Sequence, residues 1–406
     1  HDALPILICI RGFIKNMRYK HFETAIIHEG YDEKELLGSL VPPIFQTSTY
    51  TFANAAQGEA RFSGEEEGYV YSRLGNPTVT VLENKIASLE NGEKGLAFAS
   101  GMAAISSVLV ALTKMGDHIL CSSGLYGCTY GLLSMMKEKY QISVDFSDMR
   151  SEKEIRSKLK AETAVIYVET PINPTMKVID LEMLSSVAKE EGIPVVVDNT
   201  FSSPFLQRPL DLGCDVVIHS ATKYIGGHGD VIAGLVVGKK EFMDNVAKTT
   251  QKDMGGIISP FDAWLLLRGL KTLPIRMDRH CDNAERIVEE LKQHPKISNV
   301  YYPYDKDNPD FHIAKKQMKR GSGVISFEYK ASKKGVQAFL NRLSFIKIAV
   351  SLGDAETLIE HPATMTHAVV PEEVRKDMGI TNGLIRLSVG LEAWQDIWDD
   401  LKQALG

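Results

Sequence analysis

Cysteine is scarce in this chain. Its five cysteines (Cys9, Cys121, Cys128, Cys214 and Cys281) are scattered over 406 positions, and no two form a C-x-x-C pair. Such spacing excludes a disulfide framework and the common zinc sites, and it fits a reducing cytoplasm. An excess of positive charge is also missing. The 46 Lys and Arg against 52 Asp and Glu give a formal charge of -6. Nucleic-acid binding favours a basic face, so no nucleic-acid partner is expected. No apolar run approaches the ~20 residues that cross a bilayer, so no membrane partner is expected either. The opening "HDALPILICIRGFIKN" has a short apolar stretch but neither a basic start nor a small-residue cleavage site. With Met17 directly after it, residues 1–16 are expected to be a non-native extension.

What the chain does have is a repeating pattern. From about residue 95, short β-branched or apolar runs ("GLAFAS", "HILCSS", "ISVDFS", "AVIYVET", "PVVVDNT", "DVVIHS", "IAGLVVG") alternate with helical stretches at 101–114, 125–139, 151–159 and 180–191. Near-continuous apolar strands separated by helices predict an α/β fold whose mostly parallel sheet is covered on both faces. Ligands of such sheets gather outside the carboxyl ends of the strands. Ser100, Glu169, Asp198 and Ser220 all stand at those ends. Residues 17–75, with few periodic runs, predict an extended arm. A long helical pattern at 262–294 and the strand candidates "VISFEY", "IAVSLG" and "LIRLSVG" predict a smaller α+β unit.

Lys223 sits in "VIHSATKYIGGHGD", at the end of an apolar run and among small hydroxyl residues and glycines. Lysine is almost never buried without a partner, so this one is bound to something or reacts with something. Asp198 ends a neighbouring strand, where it could be a loop cap or part of a site. An amine and a carboxylate converging at one sheet edge suit pyridoxal phosphate. That cofactor needs a lysine for its Schiff base and an anion beside its ring nitrogen. Its phosphate would suit the helix start at Gly101 and Met102 in "ASGMAAI", with Ser220 and Thr222 as further donors. A tight strand–helix turn is the plainer reading of that glycine. A Walker-type loop is excluded because its glycines precede the lysine. His219 and His228 lack a third ligand at any familiar spacing, so no metal is expected.

The strings "YSRLGNPT", "ASGMAAI", "VETPINPTMKV", "VVVDNTFSSPFLQRPLDLGCDVVIHS", "SATKYIGGHGDVIAGLVV", "HPATMTH" and "IRLSVGLE", in this order, resemble the Cys/Met-metabolism family of pyridoxal-phosphate enzymes. The resemblance runs from about residue 20 to the end. It implies the type I fold of these enzymes: an arm at 17–75 that reaches the neighbouring subunit's site, a cofactor-binding domain at 76–270 and a C-terminal domain at 271–406. It implies that Lys223 carries the cofactor and that Asp198 faces its ring nitrogen. Gly101, Met102, Ser220 and Thr222 would cradle the phosphate, and Asn173 would stand beside the 3-oxygen. Tyr71 and Arg73 would reach the phosphate of a neighbouring subunit, making the protein a homo-oligomer, a tetramer of two site-sharing dimers. Tyr126 would stack on the ring and serve as an acid, provided nearby cations lower its proton affinity. Arg386 and Ser351 would bind the carboxylate of a sulfur-containing amino acid. On chemistry alone, Tyr126 could equally be packing and Arg386 a strand-end ion pair.

Within the family, "YGCT" around Cys128 and the pair Lys252–Asp253 in "QKDMGG" resemble the branch that cleaves methionine, releasing methanethiol, 2-oxobutanoate and ammonia. Gly255 departs from that branch, which has threonine there. Cys128 is then a thiol lining the substrate pocket rather than a small buried hydrophobe, and Lys252–Asp253 substrate-binding rather than a solvated surface pair. The alternatives are a cystathionine lyase or synthase, an O-acetylhomoserine sulfhydrylase, and a non-catalytic cofactor-binding protein.

Overall fold

The computed structural model describes residues 19–368, 370 and 372–406; the expectation about residues 1–16 lies outside them. All seven apolar runs form strands of one sheet: β1 (Lys94–Phe98), β2 (His118–Ser122), β3 (Ser143–Ser147), β4 (Thr163–Glu169), β5 (Val195–Asp198), β6 (Val216–Ser220) and β7 (Gly234–Gly238). Their spatial order is β1-β7-β6-β5-β4-β2-β3. From β3 across to β6 every neighbouring pair is parallel, whereas β7 runs antiparallel to both β6 and β1. The central strands are buried along nearly their whole length, as helices on both faces require.

A second sheet comprises β8 (Ile297–Tyr301), β9 (Val324–Tyr329), β10 (Lys347–Ile348), β11 (Leu358–Glu360) and β12 (Leu384–Ser388), ordered β10-β11-β12-β9-β8. "VISFEY" and "LIRLSVG" supply β9 and β12. β8 and the three-residue β11 are too short or too polar to stand out in the sequence. "IAVSLG" contributes only the end of β10, which leaves Ser351 in the loop that follows.

Two expectations are corrected. The arm is not wholly extended. It contains the helices Phe22–His28 and Ala55–Ser63, and Ala25 and Ile26 are fully buried in the core that also holds Leu82 and Ile86 of the helix Pro77–Leu89. One helical turn or two is too short for periodicity to show. The pattern at 262–294 is two helices, Pro260–Leu270 and Leu273–Gln293. Pro274, which lacks an N–H, starts the second one. Across the break, Arg276 donates to Gly269 O (2.8 Å) and to Tyr224 O (2.7 Å), fixing the residue after Lys223. The second helix joins the two sheets physically: Leu273, Met277 and Cys281 pack in the core of the first, and Ala284, Ile287 and Leu291 in that of the second.

Candidate active site

The parallel strands bring their carboxyl ends to one edge. Asp198 closes β5, directly beside Glu169 at the end of β4. β6 ends at Ser220, whose N–H donates to Thr200 Oγ1 (2.8 Å), and the chain then turns into Lys223. The helix Gly101–Leu112 starts against this turn. Ser100 caps it by accepting from Ala103 N–H (3.0 Å), and the first intrahelical bond occupies Ala104 N–H. The Gly101 and Met102 N–H groups therefore remain at the helix's positive end. A Cβ on Gly101 would lie 3.0 Å from the Ser220 Cβ, so only glycine lets the two approach comfortably. The Thr222 hydroxyl is engaged with the backbone of Ala233, donating to its O (3.3 Å) and accepting from its N–H (3.0 Å). Its expected role as a phosphate donor would need it to turn away from that bond.

Lys223 Nζ donates to Ser351 Oγ (3.1 Å). Burial lowers its proton affinity, and the Arg386 cation lowers it further, against a pull upward from Asp354 and Glu360. Burial raises the Asp198 carboxyl, against hydrogen bonds from Thr200. Among the described residues Asp198 has no Lys or Arg ion-pair partner. A buried carboxylate without a cation suits a protonated ring nitrogen. Glu169, buried at its side, is pushed up to about 8 by desolvation and by the Asp198 charge, and accepts from Tyr126 N–H (3.0 Å).

Arg386 lies in β12 with its side chain buried. Nη1 donates to Asn173 Oδ1 (3.0 Å) and pairs with Glu360 Oε1 (2.8 Å), and Nη2 donates to Ser351 O (2.8 Å). Its Nε is buried with no partner among the described residues. An orphaned guanidinium N–H is costly unless something fills the site, and the free edge it shares with Nη2 matches a carboxylate fork. Ser351 therefore ties the two cations together, one through its hydroxyl and one through its carbonyl.

Tyr126 precedes the helix Gly127–Tyr140, and its hydroxyl is hydrogen-bonded with the exposed Cys128. The expected lowering of its proton affinity is corrected. The Cys128 bond and then burial raise Tyr126 to about 12, outweighing the Arg386 cation. The phenol therefore stays protonated at neutral pH, as a donor must. The reading of Cys128 as a small buried hydrophobe falls with its exposure.

The remaining residues gather elsewhere on the chain. Arg73 Nη1 donates to Lys252 O (2.8 Å), and its guanidinium lies 5.7 Å from the Tyr71 ring centroid. Lys252 and Asp253 form an exposed pair 3.4 Å apart. Within one chain these four belong to the arm's neighbourhood rather than to the Lys223 cluster. Sequence reasoning gave Glu169 no role beyond a strand end and missed Glu360 and Asp354. The "VET" strand end pointed to Glu169, but no signal marked Glu360, because β11 is too short to be seen. His219 is committed to a buried 2.6 Å contact with Glu90.

Taken together, an amine of lowered proton affinity, an unpaired buried carboxylate and a free helix N-terminus fit pyridoxal phosphate. The profile of the Cys/Met metabolism PLP-dependent enzymes matches residues 23–406. An L-methionine gamma-lyase of Fusobacterium nucleatum is 51% identical over 391 residues, covering 96% of this chain and 99% of that protein. A cystathionine gamma-lyase of Bacillus subtilis is 43% identical, covering 94% and 98%. The crystal structure of cystathionine gamma-lyase from Lactobacillus plantarum superposes with a TM-score of 0.89 at 41% identity, covering 95% of this chain and 98% of that one. The chain belongs to the Cys/Met metabolism family of enzymes that depend on pyridoxal 5'-phosphate.

Proposed function

We propose that the protein catalyses γ-elimination of L-methionine to methanethiol, 2-oxobutanoate and ammonia. The observation that carries this reading is Ser351 bridging Lys223 and Arg386, which sets a reactive amine beside an incomplete carboxylate clamp, as an α-amino acid requires. Similarity to chains named L-methionine gamma-lyase supports the choice of substrate.

Pyridoxal phosphate, when bound, supplies an aldehyde for amines and a ring that absorbs electrons. Lys223, Asp198, Asn173 and the Gly101–Met102 helix start, with Ser220 and Thr222, would hold it. Arg386 grips the substrate carboxylate through Nε and Nη2. Lys223 Nζ, favoured as the neutral amine by burial and by Arg386, takes the Cα proton, hands it on, and as a neutral amine again takes a Cβ proton. The Tyr126 hydroxyl delivers its proton to the departing sulfur, with Cys128 holding the phenol in place. Asp198 keeps its charge for the ring nitrogen.

The site is completed by a second copy. Tyr71 is 42% exposed, and Arg73, Lys252 and Asp253 share its face, so this face can contribute to a neighbour's phosphate and substrate sites. The division into an arm (17–75), a cofactor-binding unit (76–270) and a C-terminal unit (271–406) belongs to the same proposal.

The test is a substrate panel on purified protein with cofactor added, following methanethiol and 2-oxobutanoate from methionine, beside turnover of cystathionine and O-acetylhomoserine. Brisk cystathionine cleavage with negligible methionine cleavage would overturn the choice. It would favour a second reading, a cystathionine lyase, to which the 43% identity with the Bacillus subtilis protein points.

A further inference from the structure

Glu360 is a buried acid of this site to which the mechanism gives no task. It stands opposite Arg386 in the antiparallel register of β11 and β12, so the sheet itself sets the pair. Oε1 contacts Arg386 Nη1 at 2.8 Å and accepts from Thr366 Oγ1 at 3.2 Å, while Oε2 is buried with no partner among the described residues. The same Thr366 lies 3.0 Å from His367 Nδ1. Its carbonyl oxygen packs on Gly127, where a Cβ would come within 2.8 Å. Glu360 is thus linked to the carboxylate clamp on one side and, through Thr366, to the turn that carries Tyr126 on the other.

With the clamp empty, Arg386 and Glu360 cancel. A substrate carboxylate on the free Nε edge would make one buried cation serve two anions, an arrangement with net negative charge and no bulk water to screen it. We propose that Glu360 is a positioning residue that neutralises Arg386 while the carboxylate site is empty, and that it takes one proton from solvent onto Oε2 as the substrate carboxylate binds. This inference rests on the amino-acid reading of the Arg386 site. No bond other than the new O–H forms on Glu360, and none breaks. Burial already raises its carboxyl, while Arg386, the Thr366 hydroxyl and Lys223 pull it down. A second carboxylate at Arg386 removes part of the largest of those pulls. Among the described residues, the other groups acting on this cluster are Tyr126, which Glu360 pushes upward, Tyr224 beside Arg386, Asp354 beside Lys223, and His367, which burial holds neutral with a value of about 4 and which Arg375 also pushes down.

The experiment uses holoenzyme and L-norleucine, the methylene counterpart of methionine, which has no sulfur to expel. Binding is measured by calorimetry in two buffers of different ionisation enthalpy, across pH, for wild type, Glu360→Gln and Thr366→Val. The amide keeps the hydrogen bond to Arg386 but cannot gain a charge-neutralising proton. Wild type should take up about one proton more per norleucine than Glu360→Gln, and its Kd should rise with pH more steeply by up to about tenfold per unit. The ligand amine contributes alike in both proteins, while Lys223 and Tyr126, on which Glu360 itself acts, are separated by following the cofactor's visible band and tyrosinate absorption across the same pH range. Thr366→Val removes a donor to the ionised carboxylate, so the pH at which affinity begins to fall should move upward. Equal proton counts and equal slopes in wild type and Glu360→Gln, with norleucine bound, would overturn the inference alone. Absence of binding, seen as no heat and no change in the cofactor's visible band, would overturn the amino-acid reading and this inference with it. Should Glu360→Gln not fold, an unmoved profile in Thr366→Val would overturn it.

Discussion

At the scale of single residues, the site is a set of charges held out of water. Lys223 and Arg386 share Ser351, and the Arg386 cation lowers the proton affinity of Lys223. Lys223→Ala should abolish turnover together with the visible absorption of the lysine-bound cofactor. A purified variant that keeps both would remove the assignment. Glu169 gives a prediction that needs no cofactor. Desolvation and Asp198 raise it from 4.5 to about 8 in the folded chain, so between these values the folded state binds more protons than the unfolded one. Stability from this group is full below about 4.5 and is lost as pH rises through about 8. Glu169→Gln keeps an acceptor for Tyr126 N–H but does not titrate. The melting temperature of the wild-type apoprotein should therefore fall relative to Glu169→Gln from pH 5 to pH 8. Parallel curves would show that Glu169 stays ionised.

At the scale of elements, buried polar side chains fasten segments whose own periodicity is weak. The helix Phe22–His28 is held by Lys85, whose Nζ is buried and donates to Ile26 O (2.8 Å) and Ile27 O (3.3 Å). Desolvation, with Lys271 nearby, lowers Lys85 from 10.5 to about 7. Between those values the unfolded chain binds more protons, so the bonded helix gains stability as pH rises through this window. Lys85→Met leaves two carbonyls without a donor. It should reduce the amide-exchange protection of residues 22–28 by roughly 1–3 kcal/mol, with the deficit widening above about pH 7. Unchanged protection would mean that burial of Ala25 and Ile26 suffices without the ammonium. The break between Pro260–Leu270 and Leu273–Gln293 is fastened in the same manner by Arg276, which also grips the carbonyl next to Lys223.

At the scale of the whole molecule, one chain leaves much of its arm uncovered. Leu37 is 87% exposed, Leu40 80% and Phe62 72%, an apolar surface of the kind that marks an interface. If Arg73 serves the neighbour's site, a chain with Arg73→Ala and a chain with Lys223→Ala should rescue each other. In the mixed dimer one site carries both substitutions and the other carries neither. Random mixing of the two chains should then restore about a quarter of wild-type activity, since about half of the dimers are mixed and each has one intact site. No rescue, in a mixture shown to contain mixed dimers, would place Arg73 in its own chain's site.

The sequence by itself determined the strands and the chemistry at their ends. Apolar runs such as "PVVVDNT" and "DVVIHS" can be buried on both faces only in a helix-covered sheet, and a strand's end is readable wherever its run stops. Asp198 and Lys223 were legible for that reason. The contacts that complete the site were not. Arg386 and Glu360 meet through the register of a three-residue strand, and Ser351 reaches both cations because it lies in a loop where a strand was expected. Asp198 raises Glu169 only because β4 and β5 end side by side. Pairings of this kind join residues far apart in the chain through burial and register, neither of which leaves a local pattern, so only the tertiary structure could decide them.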